Sequence, residues 1–153
     1  QMRQGLAAWR ATRIGIYRSY YVALLAVAYE RVGRAEEGLP LLTEALTAAD
    51  TIDERTFEAE LYRVKGELLL KQNEGEACLR DAETCFQHAI AVARGQSAKS
   101  WELRAAMSLA RLWHKQGKQK EARELLANVY GWFAEGLDTA DLQEARALLD
   151  GLA

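Results

Sequence analysis

The residue types that carry most enzyme chemistry are sparse in this chain. Its two histidines, His88 and His114, lack the His-Glu-x-x-His spacing that holds a catalytic zinc ion on one helix face. Cys85 precedes His88 by three positions in a predicted helix, so a metal-binding or nucleophilic pair is one interpretation. The other interpretation, which we favour, is a core thiol beside a solvated imidazole.

Phosphate-binding motifs are also missing from the sequence. Gly117-Lys118 is followed by Gln119, whereas a P-loop requires Ser or Thr after its lysine, and Leu112 stands where its first glycine belongs. No G-x-G-x-x-G segment occurs. The sequence therefore predicts a non-catalytic protein without cofactor-binding or metal-binding residues.

Charge and hydropathy argue against two classes of partner. The net charge is −2, whereas nucleic-acid-binding proteins usually carry a basic surplus. The longest apolar run, Val22 to Ala28, is far shorter than the roughly 20 residues of a membrane span. Cys78 and Cys85 lie about two helical turns apart, beyond the reach of a disulfide. We therefore expect a cytoplasmic protein with free thiols and no nucleic-acid or membrane partner.

An internal repeat organises the chain. In each copy a small residue is followed by a large apolar residue, then by Gly or Asn, and then by a second small and a second large residue. The aligned positions are Leu25, Ala26, Tyr29, Gly33, Gly38, Leu42 and Ala45, then Lys65, Gly66, Leu69, Asn73, Ala82, Phe86 and Ala89, then Leu109, Ala110, Trp113, Gly117, Ala122, Leu126 and Val129. Their spacings put apolar side chains on one helix face, and Gly or Asn ends a helix. Four extra residues before Ala82 predict an extended turn or an earlier helix start.

These repeats predict an all-α fold, a solenoid of antiparallel helix pairs over residues 1–153. The predicted units are a trailing helix of a preceding repeat at 1–12, repeat 1 at 16–50, repeat 2 at 54–95, repeat 3 at 99–133 and a capping helix at 139–152. We expect helix pairs at 16–32 with 35–50, 54–72 with 76–95, and 99–116 with 118–133. Thr51–Glu54 predicts a capping box for the third of these helices, and Asp138, Thr139 and Asp141 are the candidate caps of the last.

The copies resemble tetratricopeptide repeats of the longer, MalT-like kind. Four stretches are similar to the C-terminal repeat region of large bacterial predicted ATPases: WRATRIGIYRSYYVALLAVAY, FEAELYRVKGELLL, ELRAAMSLARLWHKQGKQKEARELL and VYGWFAEGLDTADLQEARALL. Such proteins are often fused to adenylate or guanylate cyclase domains or to DNA-binding regulator domains. The resemblance implies a fragment of a larger signalling protein, which a chain starting at Gln1 also leads us to expect. The ATPase and cyclase chemistry of those proteins belongs to other domains.

Candidate binding residues lie on the first helix of each pair, which lines the concave groove of this architecture. The predicted groove residues are Tyr20, Arg63, Glu67, Lys71, Arg104, Met107, Arg111, His114 and Lys115. Arg104, Arg111 and Lys115 share one stripe at spacings of seven and four. With Arg63 and Lys71 they predict a basic patch for an acidic peptide or domain, and a solvated charged face is the competing interpretation.

The sequence thus predicts a protein-interaction and regulatory module that binds a protein, a peptide or other domains of its own chain. The alternative is an effector-sensing domain that binds a small molecule or peptide in the groove, which follows from the MalT-like resemblance alone. A helical enzyme has no supporting set of residues. An aromatic cluster at Tyr130, Trp132 and Phe133 is expected to pack in the core under the last helix, with a binding hot spot as the alternative.

Overall fold

Seven α-helices follow one another in a computed structural model that describes residues 18–52, 55–72 and 75–153. The helices are α1 (Arg18–Arg31), α2 (Ala35–Ile52), α3 (Glu58–Gln72), α4 (Glu76–Gly95), α5 (Lys99–Lys115), α6 (Gln119–Tyr130) and α7 (Ala140–Gly151). Within these ranges the chain forms no strand, which confirms the predicted all-α fold. The trailing helix predicted at 1–12 lies outside the described residues.

The helices are arranged in two layers. Each helix packs against the next one along the chain, which includes the predicted pairs α1 with α2, α3 with α4 and α5 with α6. The odd-numbered helices also contact one another in succession, from α1 through α3 and α5 to α7. Between α2, α4 and α6 no such contacts occur in the described part of the chain. The odd-numbered helices therefore form a continuous inner layer of a helical repeat fold, and α7 packs on α5 and α6 like the first helix of another pair.

Small residues set how closely neighbouring helices approach. A Cβ atom on Gly66 of α3 would lie 2.5 Å from Cε1 of Phe86 on α4, closer than real carbon atoms come. A Cβ atom on Gly38 of α2 would lie 2.8 Å from Cδ1 of Leu68 and 3.6 Å from Cα of Ala26. The small positions of the repeat alignment thus lie where the helices are closest, as the sequence predicts.

Glycines in the left-handed conformation end α1 and α5 at matching points. Gly33 has φ 72° and Gly117 has φ 79°. The N–H after each glycine donates to the carbonyl of Tyr29 or Trp113, at 2.9 Å in both turns, which is the Schellman arrangement. These two predicted helix ends are confirmed, and the third, at Asn73, lies outside the described residues.

The turn between α4 and α5 repeats these hydrogen bonds around a serine. Ser97 has φ 55°, and its N–H donates to the carbonyl of Arg94 at 3.0 Å. The N–H of Ala98 donates to the carbonyl of Ala93 at 2.8 Å. Because a Cβ atom crowds the backbone in this conformation, Ser97 costs about 1 kcal/mol that glycine would not.

The starts of α3 and α7 differ from the capping that the sequence predicts. The capping box predicted at Thr51–Glu54 is wrong, because Thr51 lies in the last turn of α2 and α3 begins only at Glu58. Just before α3, the Arg55 guanidinium pairs with the carboxylate of Glu58, the first residue of the helix, at 2.7 Å. Of the three candidate caps of α7, Thr139 occupies the N-cap position, but its side chain makes no capping hydrogen bond.

The extra residues of the second repeat lengthen α4 at its start. This helix begins six residues before Ala82, whereas α2 begins three residues before Gly38 and α6 three residues before Ala122. The earlier helix start is thus the correct alternative. None of the helices in the described ranges combines the length and apolar character that a membrane crossing requires.

Candidate interaction surface

The inner layer places matching residues of α1, α3 and α5 on neighbouring helices. Adding 40 to a residue number in α1, or 44 to one in α3, gives the matching position of the next inner helix. Three matched positions of each helix make up what we call the inner stripe. They are Tyr20, Val27 and Arg31 on α1, Glu60, Glu67 and Lys71 on α3, and Arg104, Arg111 and Lys115 on α5.

Glu60 is a nearly buried carboxylate that joins α3 to α5. It accepts two hydrogen bonds from Arg63, at 2.7 and 2.8 Å, and pairs with Nη2 of Arg104 at 3.0 Å. The side chains of Glu60 and Arg63 are only 8% and 12% exposed. Loss of one partner in such a pair leaves an uncompensated charge away from water, so these groups hold the second and third repeats in register.

A second polar link between α3 and α5 lies two turns further along α3. The Ser108 hydroxyl donates to Oε1 of Glu67 at 2.6 Å, and Nη1 of Arg63 lies 3.5 Å from both groups. Ser108 is 3% exposed, so this bond satisfies a buried hydroxyl.

Acidic side chains of α7 complete the network around α5. Nη2 of Arg111 lies 2.5 Å from Glu144, and Nε of Arg104 lies 4.0 Å from Asp141. Arg63, Arg104 and Arg111, three members of the predicted basic patch, therefore have carboxylate partners within the chain. Arg104 and Arg111 pair with carboxylates of neighbouring inner helices, whereas Arg63 pairs with carboxylates of its own helix α3.

Exposed positive charge on the inner stripe is concentrated at one end of the helices. Arg31, Lys71 and Lys115 occupy matching positions in the last turns of α1, α3 and α5, and all three are exposed. None of them forms an ion pair with another described residue. His114 is exposed beside Lys115. We call Arg31, Lys71 and Lys115 the cation row.

Met107 does not belong to the groove surface. The sequence places it on the same helix face as the charged candidates, but it is 3% exposed and packs within the hydrophobic core. Four helices, α3, α4, α6 and α7, pack against α5, so only a narrow strip of it stays open. The prediction that Met107 lines the groove is therefore wrong.

An aromatic row that sequence reasoning missed crosses the starts of the inner helices. Tyr20 lies 5.2 Å from Phe57 between ring centroids, and Phe57 lies 6.2 Å from Trp101. The Arg104 guanidinium stands 5.3 Å from the Trp101 centroid. Tyr20, the groove candidate of α1, is 38% exposed at the end of this row.

A buried glutamate beside the aromatic row was also missed. Glu102 is 3% exposed and accepts bonds from Arg94 of α4 and from Lys99, both at 2.7 Å. Burial raises its pKa most strongly, but the hydrogen bonds and charges of Lys99 and Arg94 together outweigh burial, and the pKa is lowered. The sequence pattern [Arg/Lys]-[Thr/Ser]-[Phe/Trp]-Glu occurs at 55–58 and at 99–102. It could have indicated both the aromatic row and the buried glutamates that follow its aromatic residues.

Cys85 and His88 form no reactive pair. Cys85 is buried, and burial raises its thiol pKa, with a smaller opposing effect of Lys65. His88 is exposed, and its ring lies 4.2 Å from that of Tyr62. The core-thiol interpretation is thus the better one. In the described ranges no three His, Cys, Asp or Glu side chains are placed to hold a metal ion.

The aromatic cluster before α7 packs only in part. Phe133 is half-buried against the core, as expected. Trp132 is 61% exposed, with the Lys99 ammonium 5.7 Å from its ring, so its predicted place in the core is wrong. The short turn after α6 turns Trp132 outward while Phe133 faces α5 and α7.

Comparison with known proteins adds no identification. No protein-family model matches the chain, and no curated protein matches it in sequence. The tetratricopeptide resemblance therefore stays a prediction, alongside the helical repeat fold that the packing shows.

Proposed function

We propose that this chain is a non-catalytic protein-interaction and regulatory module, which presents its inner layer to a protein or peptide. One observation carries the proposal: α1, α3, α5 and α7 contact one another in an unbroken series. Side chains at matched positions are thereby held at regular intervals across several helices. Such preorganisation lowers the entropic cost of binding an extended partner.

The internal pairing of the arginines supports the same proposal. Glu60, Arg63 and Arg104 lock α3 against α5, so their charges maintain the surface instead of binding a partner. The exposed side chains that remain on the stripe are then free to contact another molecule. By resemblance, the proposed setting is a cytoplasmic bacterial signalling protein, and the partner is another domain of that protein or a separate chain.

A photo-reactive amino acid at His114 tests the proposal. His114 is exposed on the inner helix α5, whereas Arg80, 70% exposed on the outer helix α4, provides the matched control. In the source cells we expect a discrete protein cross-link from position 114 and no comparable product from position 80. The captured protein, once purified, should bind the purified chain in a calorimetric titration.

Equal capture from both positions, or a purified pair that does not bind, would contradict an inner-layer binding site. Turnover of ATP by the purified chain would favour the enzyme class instead.

A further inference from the structure

The cation row is a feature that helix stability alone does not explain. Positive charge in a last turn is favourable at any helix end, because it offsets the helix dipole. Yet α2, α6 and α7 carry no basic residue in their last turns. In α4 the basic residue is Arg94, which is paired with Glu102 at 2.7 Å. Unpaired cations at helix ends, among the described residues, are confined to the inner helices α1, α3 and α5.

The row is also distinct from the rest of the inner stripe. Glu60 and Glu67 lie earlier on α3, next to arginines that they neutralise. At the matched positions 31, 71 and 115, all three residues are basic and exposed. The whole chain has a net charge of −2, so this local surplus stands against the overall sign.

The spacing of the row defines the shape of a complementary ligand. Packed helix axes lie about 8–10 Å apart, which sets the interval between neighbouring cations of the row. A segment in the polyproline II conformation repeats a side-chain position every three residues, or about 9.3 Å. Acidic side chains at every third residue of such a segment therefore match the interval between Arg31, Lys71 and Lys115.

We propose that the cation row binds an extended acidic segment of a protein partner, which crosses the C-terminal ends of α1, α3 and α5. This inference rests on the proposed function and specifies its ligand. The segment runs across the inner helices, and each of its acidic groups pairs with one cation of the row.

The probe is a fluorescein-labelled peptide of four Glu-Pro-Pro units, with the corresponding Lys-Pro-Pro peptide as its charge control. Fluorescence anisotropy at low ionic strength, where exposed charges are least screened, should detect binding of the acidic peptide alone. The variant Arg31→Ala/Lys71→Ala/Lys115→Ala should weaken that binding about ten-fold, as expected for the loss of three exposed ion pairs.

A matched variant removes the same charge from the outer helices, at Arg80, Lys120 and Arg123, which are all exposed. It should bind the acidic peptide with less than a two-fold change, and circular dichroism should show both variants folded. A second variant, with Gln at the three row positions, guards against a folding defect of the alanine variant.

If both triple variants lost the same affinity for the acidic peptide, the attraction would come from the overall charge of the protein. That result would overturn the cation row as a binding site. Absence of peptide binding would overturn it as well. Partner capture through His114 with no effect of the row variants would refute this inference and leave the interaction module intact.

Discussion

The contact of α1 with α3 and the contact of α3 with α5 join successive inner helices through different chemistry. At the matched positions 20, 60 and 104 the chain carries Tyr, Glu and Arg. Tyr20 contacts Phe57 through an aromatic pair at 5.2 Å, whereas Glu60 pairs with Arg104 at 3.0 Å. Successive inner helices are therefore joined by an aromatic contact at one step and by an ionic contact at the next.

Residues of α1 also differ from the matching residues of α3 in the fraction of their surface that is exposed to solvent. Tyr21 and Leu24 of α1 are 47% and 40% exposed. Their matches on α3, Leu61 and Val64, have no exposed surface, because α1 and α2 pack over them. The position in the stack thus decides burial as much as the residue type does, and a substitution at matched positions has unequal effects in the two regions.

The largest expected contrast concerns the two glycines at the tight contacts. Gly66→Ala should destabilise the fold by about 2–3 kcal/mol, because the new methyl group overlaps the Phe86 ring. Gly38→Ala should stay within about 0.5 kcal/mol of wild type, since its nearest neighbour is a terminal methyl group of Leu68, which a small side-chain rotation can move aside, and alanine favours a helix. Urea denaturation followed by circular dichroism measures both. Equal effects would mean that the close approach is not specific to the second pair.

The ionic junction should be more sensitive than the aromatic one. Glu60→Gln removes the negative charge that pairs with Arg63 and Arg104, where the Arg63 side chain is only 12% exposed, and we expect a loss of about 1–2 kcal/mol. Tyr20→Ala, at the matched position of α1, should cost less than about 1 kcal/mol because its ring is partly exposed. Denaturation of the two variants in the same buffer compares them. A larger loss for Tyr20 would reverse our ranking of the junctions.

The dependence of stability on pH tests the role of the buried carboxylate of Glu102. The lowered pKa of Glu102 means that its ionised form stabilises the fold above the pKa of an unfolded glutamate, and that this contribution is lost as the pH falls through the folded pKa. The stability difference between wild type and Glu102→Gln should therefore be largest near neutral pH and shrink below about pH 4. Glu76→Gln, which removes a carboxylate that is 92% exposed, is the control for the loss of one negative charge.

The smallest expected effect lies in the turn around Ser97. Ser97→Gly should stabilise the fold by about 0.5–1 kcal/mol, since glycine adopts the left-handed conformation without a Cβ clash. Thermal unfolding should show a raised midpoint. Gly117→Ser, the reverse change in the matching turn, should lower it by a similar amount, and a neutral result in both turns would mean that neither backbone is strained.

Helix order and most helix ends were predictable because their signals are local. Gly33 and Gly117 mark helix C-termini, which depend on the conformation of the local backbone alone. The start of α3 was missed because Thr51, the expected cap, lies within α2, whereas α3 begins at the buried Glu58, which pairs with Arg55. Local signals thus locate the helices better than they locate helix starts that depend on burial.

The binding surface was less predictable, because it depends on neighbours distant in sequence. Periodicity places Arg104 on the inner face, but its partner Glu60 lies 44 positions earlier. Met107 has the sequence spacing of the exposed residues on α5 but is buried. Helices pack on several sides of α5, so its exposed strip is narrower than the helix face that the spacing defines. Lys71, His114 and Lys115 were predicted on the inner face and are exposed there.

The series of contacts in the inner layer also governs how the molecule carries load. In the described ranges each helix touches only helices one or two places away along the chain, and no contact ties α1 to α7. A force that pulls α1 and α7 apart is therefore transmitted through each contact between neighbouring helices in turn. Such a chain yields in steps, one pair after another, and each step lengthens it while the remaining pairs keep their packing.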